Sequence, residues 1–129
     1  MKNVPNIIST KDGEFFEAYS VNVLTKYLIY KNNEILESKV TGGSEDNGID
    51  GVIKIKDLLN KQTNILIQSK VRTNCQVTLK EVREFYGAFK ALKGDIGIFI
   101  TNTTFHREAV KFSKLMSDLI LIDIDLLLK

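Results

Sequence analysis

Asp50 stands directly after a run of turn formers, Gly42-Gly43-Ser44-Glu45-Asp46-Asn47-Gly48, and an apolar segment further on ends in Gln68-Ser69-Lys70. A carboxylate, an amide and an ammonium are what a hard divalent cation and a phosphate ester need. Mg²⁺ takes oxygen ligands, keeps several waters and typically binds one or two carboxylates plus phosphate oxygens. Asp50 supplies a carboxylate. Gln68 can give an amide oxygen, a weaker ligand than glutamate because it is neutral. Lys70 then stands beside the attacking water, where its charge stabilises hydroxide and the charge building on phosphorus. Glu17, distant in sequence, is the candidate for a second carboxylate, direct or through water. The chain has one histidine, His106, and one cysteine, Cys75. Two-histidine phosphodiester chemistry, histidine-rich zinc sites and multi-cysteine knots are therefore excluded. Any chemistry falls to carboxylates, amides and lysines.

These residues meet only if the chain's local structure lets them. Side chains alternate along a strand, so within Asn64–Val71 Gln68 and Lys70 point one way while Ile67, Ser69 and Val71 point the other. Ile49–Ile55 alternates as another strand, and the short polar connection at 56–63 predicts an antiparallel hairpin. Neighbouring strands lie ~4.8 Å apart, which puts Asp50 beside Gln68 and Lys70. Glu17 belongs to a helix predicted from Lys11 to about Ile29. At ~100° per residue, Phe16, Tyr19, Val21, Val23, Leu24, Tyr27 and Leu28 fill one arc of it, with Glu17 between Leu24 and Leu28. A carboxylate in that arc faces the core or a cleft at its edge, and desolvation there is costly without a partner.

The remaining elements complete the frame. Ile35–Thr41 reads as a strand. Thr78-Leu79-Lys80-Glu81 is a capping-box pattern. It opens a helix with Val82, Phe85, Tyr86, Phe89 and Leu92 at core spacing, which stops at Gly94. Ile96–Thr101 is an apolar strand suited to the middle of a sheet. Thr104 is expected to cap a helix carrying Phe105, Ala109, Phe112 and Met116. Leu119–Ile122 is the last strand, and Asp125 starts a stub of helix. The order α-β-β-β-α-β-α-β predicts an α/β domain with a mixed central sheet flanked by helices.

At 129 residues, 43% hydrophobic and 26% charged, the chain is one ordinary globular domain, residues 1–129, with no linker. The net charge of +2 is no argument for nucleic acid by itself. The N-terminus lacks the apolar run of a signal peptide, and no segment approaches the ~18–20 apolar residues of a membrane span. A cytoplasmic protein without a membrane partner is expected.

The block Gly43-Ser-Glu-Asp-Asn-Gly48-Ile49-Asp50-Gly51, followed by Gln68-Ser69-Lys70, resembles the Mrr-type branch of the PD-(D/E)xK nucleases, the restriction-endonuclease-like superfamily. That branch reads roughly G-x-x-D-x-G-I-D-G, then a strand with Q-x-K, glutamine replacing the usual acid. Phe16-Glu17, Val82-Arg-Glu-Phe-Tyr-Gly87-Ala88, Phe99-Ile-Thr101, Phe105 with Ala109, and Leu121-Ile-Asp123 extend the resemblance over nearly the whole chain, in order. The resemblance implies a restriction-endonuclease-like α-β-β-β-α-β core and a Mg²⁺-dependent endodeoxyribonuclease, with Mn²⁺ able to substitute. It implies catalytic roles for Asp50, Gln68 and Lys70, an assisting glutamate at Glu17, and 5′-phosphate and 3′-hydroxyl products. Ser69 departs from the small apolar residue or cysteine common there.

Around this core, Lys54, Lys56, Arg72, Lys80 and Arg83 are read as a basic rim for DNA phosphates. His106 is expected to cap a helix or lie on the surface, and Cys75 to pack as a small hydrophobe. Asp50, at a strand head, is expected to contribute little packing. Glu17 has a purely structural alternative, neutralising Lys70. A chain this short carries no separate DNA-reading domain. It is then a piece of a longer restriction enzyme, or it reads DNA structure, or it acts as a homodimer or within a larger nuclease assembly. A Holliday-junction resolvase and a catalytically silent nucleic-acid-binding module of the same fold are the rival readings.

Overall fold

A computed structural model describes residues 10–41 and 48–127. Most of the glycine-rich turn, residues 42–47, lies outside them, as does the segment 1–9. The order is α1 (Thr10–Tyr30), β1 (Glu34–Val40), β2 (Gly51–Lys56), β3 (Gln62–Lys70), α2 (Leu79–Ala91), β4 (Ile96–Thr101), α3 (Arg107–Leu115), β5 (Leu119–Ile122) and α4 (Ile124–Leu127). The strands form one five-stranded sheet in the order β1-β2-β3-β4-β5. β1, β2 and β3 run antiparallel as hairpins, and β3, β4 and β5 run parallel. This is the mixed sheet the residue pattern predicts.

Each face of the sheet has its own core. On one side α1 lays Phe16, Val21 and Leu24 against Ile53, Ile55, Ile65, Ile67, Ile98 and Ile100. The close approach of α1 depends on Gly51, where a Cβ would come within 2.5 Å of Val21 Cγ2. On the other side α2 and α3 cover Leu66, Phe99 and Leu119 with Val82, Phe85, Phe89 and Ala109. Phe99 is the hub, meeting Phe85 and Phe105 edge-on with ring centres 5.5 Å apart in both cases. Burying each such ring is worth roughly 1.5–3 kcal/mol.

The capping box of α2 forms in full, Thr78 accepting from the Glu81 amide and Glu81 from the Thr78 amide. Three expectations are corrected. Tyr27 is 55% exposed, in the last turn of α1 with Lys31 over its ring, while Ser20 is fully buried in the stripe. Thr104 does not cap α3. Phe105 pairs with Val77 in an isolated parallel bridge, so the chain stays extended and His106 becomes the cap, its Nδ1 accepting the Glu108 amide at 3.1 Å. Cys75 is exposed, since the β3–α2 loop turns outward beside Asn74, whose φ is 62°.

At the far end of α2, Asp118 accepts from Tyr86 Oη at 2.9 Å and Lys90 Nζ at 2.8 Å, tying α2 to the start of β5. The Lys90 hydrogen bond, with help from Tyr86, holds the Asp118 carboxyl below its usual range. A carboxyl with a depressed folded pKa stabilises the fold above its unfolded pKa, ~3.9, and loses that contribution as pH falls through the folded value. Asp118→Asn should therefore melt below the native chain at neutral pH, with the two melting curves converging in acid. Thermal melts at stepped pH check this, and a gap that persists in acid would mean the carboxylate charge contributes nothing.

Candidate active site

The hairpin ladder between β2 and β3 ends at Gly51 opposite Ile67, but β3 continues to Lys70. Asp50 bridges the parting strands. Its amide donates to Ile67 O at 2.7 Å and its carbonyl accepts from the Thr41 amide at 2.9 Å. Its carboxylate turns into the gap, and Oδ2 accepts the Ser69 amide at 2.9 Å and Gln68 Nε2 at 2.8 Å. Asp50 is only 7% exposed. The expectation that it adds little to the fold is thus corrected, because truncation would strand the buried Ser69 amide at ~1–3 kcal/mol.

A carboxylate can only accept, so the Gln68 amide turns its N–H to Asp50 and its oxygen the other way. That oxygen lies over Gly48. A Cβ on Gly48 would sit 2.8 Å from Gln68 Oε1, and the backbone there has φ +82°. Glycine is required twice over, for the left-handed turn and for the room the amide occupies. The result is a carboxylate and, turned away from it toward Gly48, an amide oxygen, both hard donors of the kind Mg²⁺ or Mn²⁺ takes. Among the described residues no group of three or more His, Cys, Asp and Glu side chains gathers.

Strand alternation continues through this end of β3. Ile65 and Ile67 face α1 and Leu66 faces α2, so Gln68 and half-buried Lys70 follow Leu66 while Ser69 faces α1. The Lys70 backbone is pinned by the β4 register, opposite Thr101, whose Oγ1 donates to Lys70 O at 2.8 Å. Asn102 clamps the next turn, accepting the Arg72 amide at 2.9 Å. Glu17 is half-buried on α1, one turn before Val21, the residue seated on Gly51.

The basic rim does not form as one group. Arg72 is ion-paired with Glu81 at the start of α2, and Lys80 with Glu84 at 2.8 Å. Arg83 is exposed on the same helix. Lys54 lies elsewhere, on β2, 3.3 Å from Glu37 of β1, and Lys56 is further out on the same strand. The roles of Ser69, Thr41 and Gly48 around Asp50 were not anticipated. The only sequence signal for them is their place in the turn and strand.

The whole described chain matches the family model Mrr_cat, described as restriction endonuclease, over residues 8–129. The chain belongs to this restriction endonuclease family. It is 37% identical over 83 residues to the type IV methyl-directed restriction enzyme EcoKMrr of Escherichia coli (strain K12), a match covering 64% of this chain and 26% of that protein. In fold it is similar to the MspJI restriction endonuclease in complex with a 27-mer oligonucleotide, with a TM-score of 0.68 and 19% identity over 97% of this chain and 34% of that one. It is similar also to the DNA modification-dependent restriction endonuclease AspBHI, at TM-score 0.57 and 14% identity, covering 99% of this chain and 39% of that one. The chain thus spans about a quarter of the curated relative's length (26%). Among the described residues no helix is long and apolar enough to cross a membrane.

The contact between Gly48 and Gln68 is open to a double-mutant cycle. Gly48→Ala should destabilise the native chain more than it destabilises Gln68→Ala, with a coupling of about 0.5 kcal/mol or more by denaturant unfolding. Strictly additive losses would mean that Gly48 serves only its backbone angle.

Proposed function

We propose that the chain is a divalent-metal-dependent endodeoxyribonuclease domain that hydrolyses phosphodiester bonds by attack of water, with Asp50, Gln68 and Lys70 as its working residues. The observation that carries this reading is the Asp50–Gln68 pair, a buried carboxylate held against an amide whose oxygen lies against Gly48. Asp50 and Gln68 would hold the cation, Mg²⁺ or Mn²⁺. Bound there, a divalent ion lowers the pKa of coordinated water and offsets phosphate charge.

The chain's own side chains do the rest. The Ser69 amide fixes the rotamer of Asp50, so the carboxylate is positioned before substrate arrives. Gln68 must give up neither of its roles, since its N–H holds Asp50 while its oxygen points outward. Lys70 projects from the same side of β3 as Gln68, one residue past it on that face, where its ammonium neutralises a phosphate oxygen and favours the deprotonated form of the attacking water. Glu17 reaches this point only round the end of β2 and β3, from the α1 side. That position suits an accessory carboxylate acting through water. DNA is the substrate in this reading, and the known names of the relatives agree with it.

Incubation of plasmid and branched DNA with Mg²⁺, Mn²⁺ or EDTA tests the proposal. The native chain should cut with either metal and not with EDTA. Asp50→Asn, which keeps an acceptor for the Ser69 amide, should stay folded and lose cleavage. Glu17→Gln should lose activity by orders of magnitude with little change in melting temperature if Glu17 serves the site, and should melt lower if it only neutralises a lysine. Wild-type cleavage by Asp50→Asn would remove the site assignment.

A further inference from the structure

The helices leave one part of the sheet bare. α1 packs on β1, β2 and β3 from one side, while α2 and α3 on the other side lie over β4 and β5. The α2-side face of β1 and β2 therefore forms the floor of an open groove of about 260 Å³, lined by Glu37, Lys39, Val52, Lys54, Leu66 and Leu92. Two lysines meet on one carboxylate there, with Lys39 Nζ 3.1 Å and Lys54 Nζ 3.3 Å from the oxygens of Glu37. Strand alternation puts Val52 and Lys54 on this same face, together with Leu66, Gln68 and Lys70 of β3.

We propose that this groove is a track for the phosphate backbone of the substrate duplex, with Lys39 and Lys54 as its contacts and Glu37 as the group that orders and restrains them. The inference rests on the nuclease reading of the Asp50 site. Its geometry follows from the register. Lys39 lies opposite Val52, two residues along β2 from Asp50, and Lys54 is two residues further. Measured along the strands at ~3.3 Å per residue, Lys39 on β1 and Lys54 on β2 stand roughly 7 and 13 Å beyond Asp50, on an uncovered surface. A DNA strand carries one charge per ~3.4 Å of axis, so the roughly 7 Å between the two cations along the strands matches about two phosphate steps of a strand passing through the site. The α2 side offers less, since Arg72 and Lys80 each have a carboxylate of their own, whereas Lys39 and Lys54 share one and leave a net positive charge.

Glu37 gives the proposal a signature of opposite signs. Removing a lysine deletes a phosphate contact, whereas Glu37→Gln frees both lysines and raises the local charge. The test is fluorescence anisotropy of a labelled random-sequence duplex with the full chain in EDTA, so that nothing is cut, across a range of salt. Lys39→Ala and Lys54→Ala should each weaken binding about eightfold at ~0.1 M salt and flatten the salt dependence by close to one unit. Glu37→Gln should tighten binding several-fold. Lys26→Ala, an exposed cation on α1 behind the sheet, should change neither. If duplex binds but Lys39→Ala and Lys54→Ala match the native chain in affinity and slope, the track is wrong and the nuclease reading stands. Should the native chain bind no duplex at all, both fall together. Equal losses in Lys26→Ala would reduce the effect to net charge and overturn the track alone.

Discussion

The hydrogen bond from the Ser69 amide to the Asp50 carboxylate governs the end of the sheet that carries the proposed site. An N–H on a central strand must be satisfied, and beyond Gly51 the backbone of β2 no longer reaches it. Asp50 satisfies it with a side chain in place of a carbonyl. The hairpin can then open while remaining fully bonded, and a negative charge is fixed in the opening. Structure and proposed function draw on the same carboxylate, which is why a residue at a strand head is buried to 7% exposure.

Several other features follow from that arrangement. Gln68 has no choice of orientation beside an acceptor, so its oxygen must face Gly48, and only glycine leaves the space. With β2 gone, the last residues of β3 are held from the other side by β4, through Thr101 and Asn102. The parallel ladder from Ile65 to Lys70 thus stiffens the strand that carries Gln68 and Lys70. The same sheet serves both jobs. Its centre is buried on two faces by phenylalanines and isoleucines, while its parted end presents polar groups to solvent and to the bare face of β1 and β2.

Much of the fold was legible in residue pattern. β4 and β5 carry unbroken apolar runs, and the Thr78–Glu81 capping box announces α2 by a local hydrogen-bond exchange that needs no tertiary help. Alternation along β3 separated Gln68 and Lys70 from Ser69, and a hairpin placed Asp50 next to Gln68. What eluded the pattern depends on long-range partners. Thr104 fails to cap α3 because Val77, far away in the chain, holds Phe105 extended. Cys75 is apolar by type and exposed by the course of its loop. Asp50 reads as a ligand from its neighbours, yet nothing local shows that it also completes the backbone ladder. The split of the basic residues into two groups is equally invisible without the register that sets Lys54 against Glu37.

The central claim is that one carboxylate, held by Ser69 and Gln68, is both a strut of the sheet and the anchor for a cation. Calorimetric titration of Mn²⁺ into the native chain and into Asp50→Asn, with far-ultraviolet circular dichroism confirming that both are folded, addresses it directly. The account predicts saturable binding of one cation by the native chain and its loss in the folded variant. Equal binding by the two proteins would contradict it.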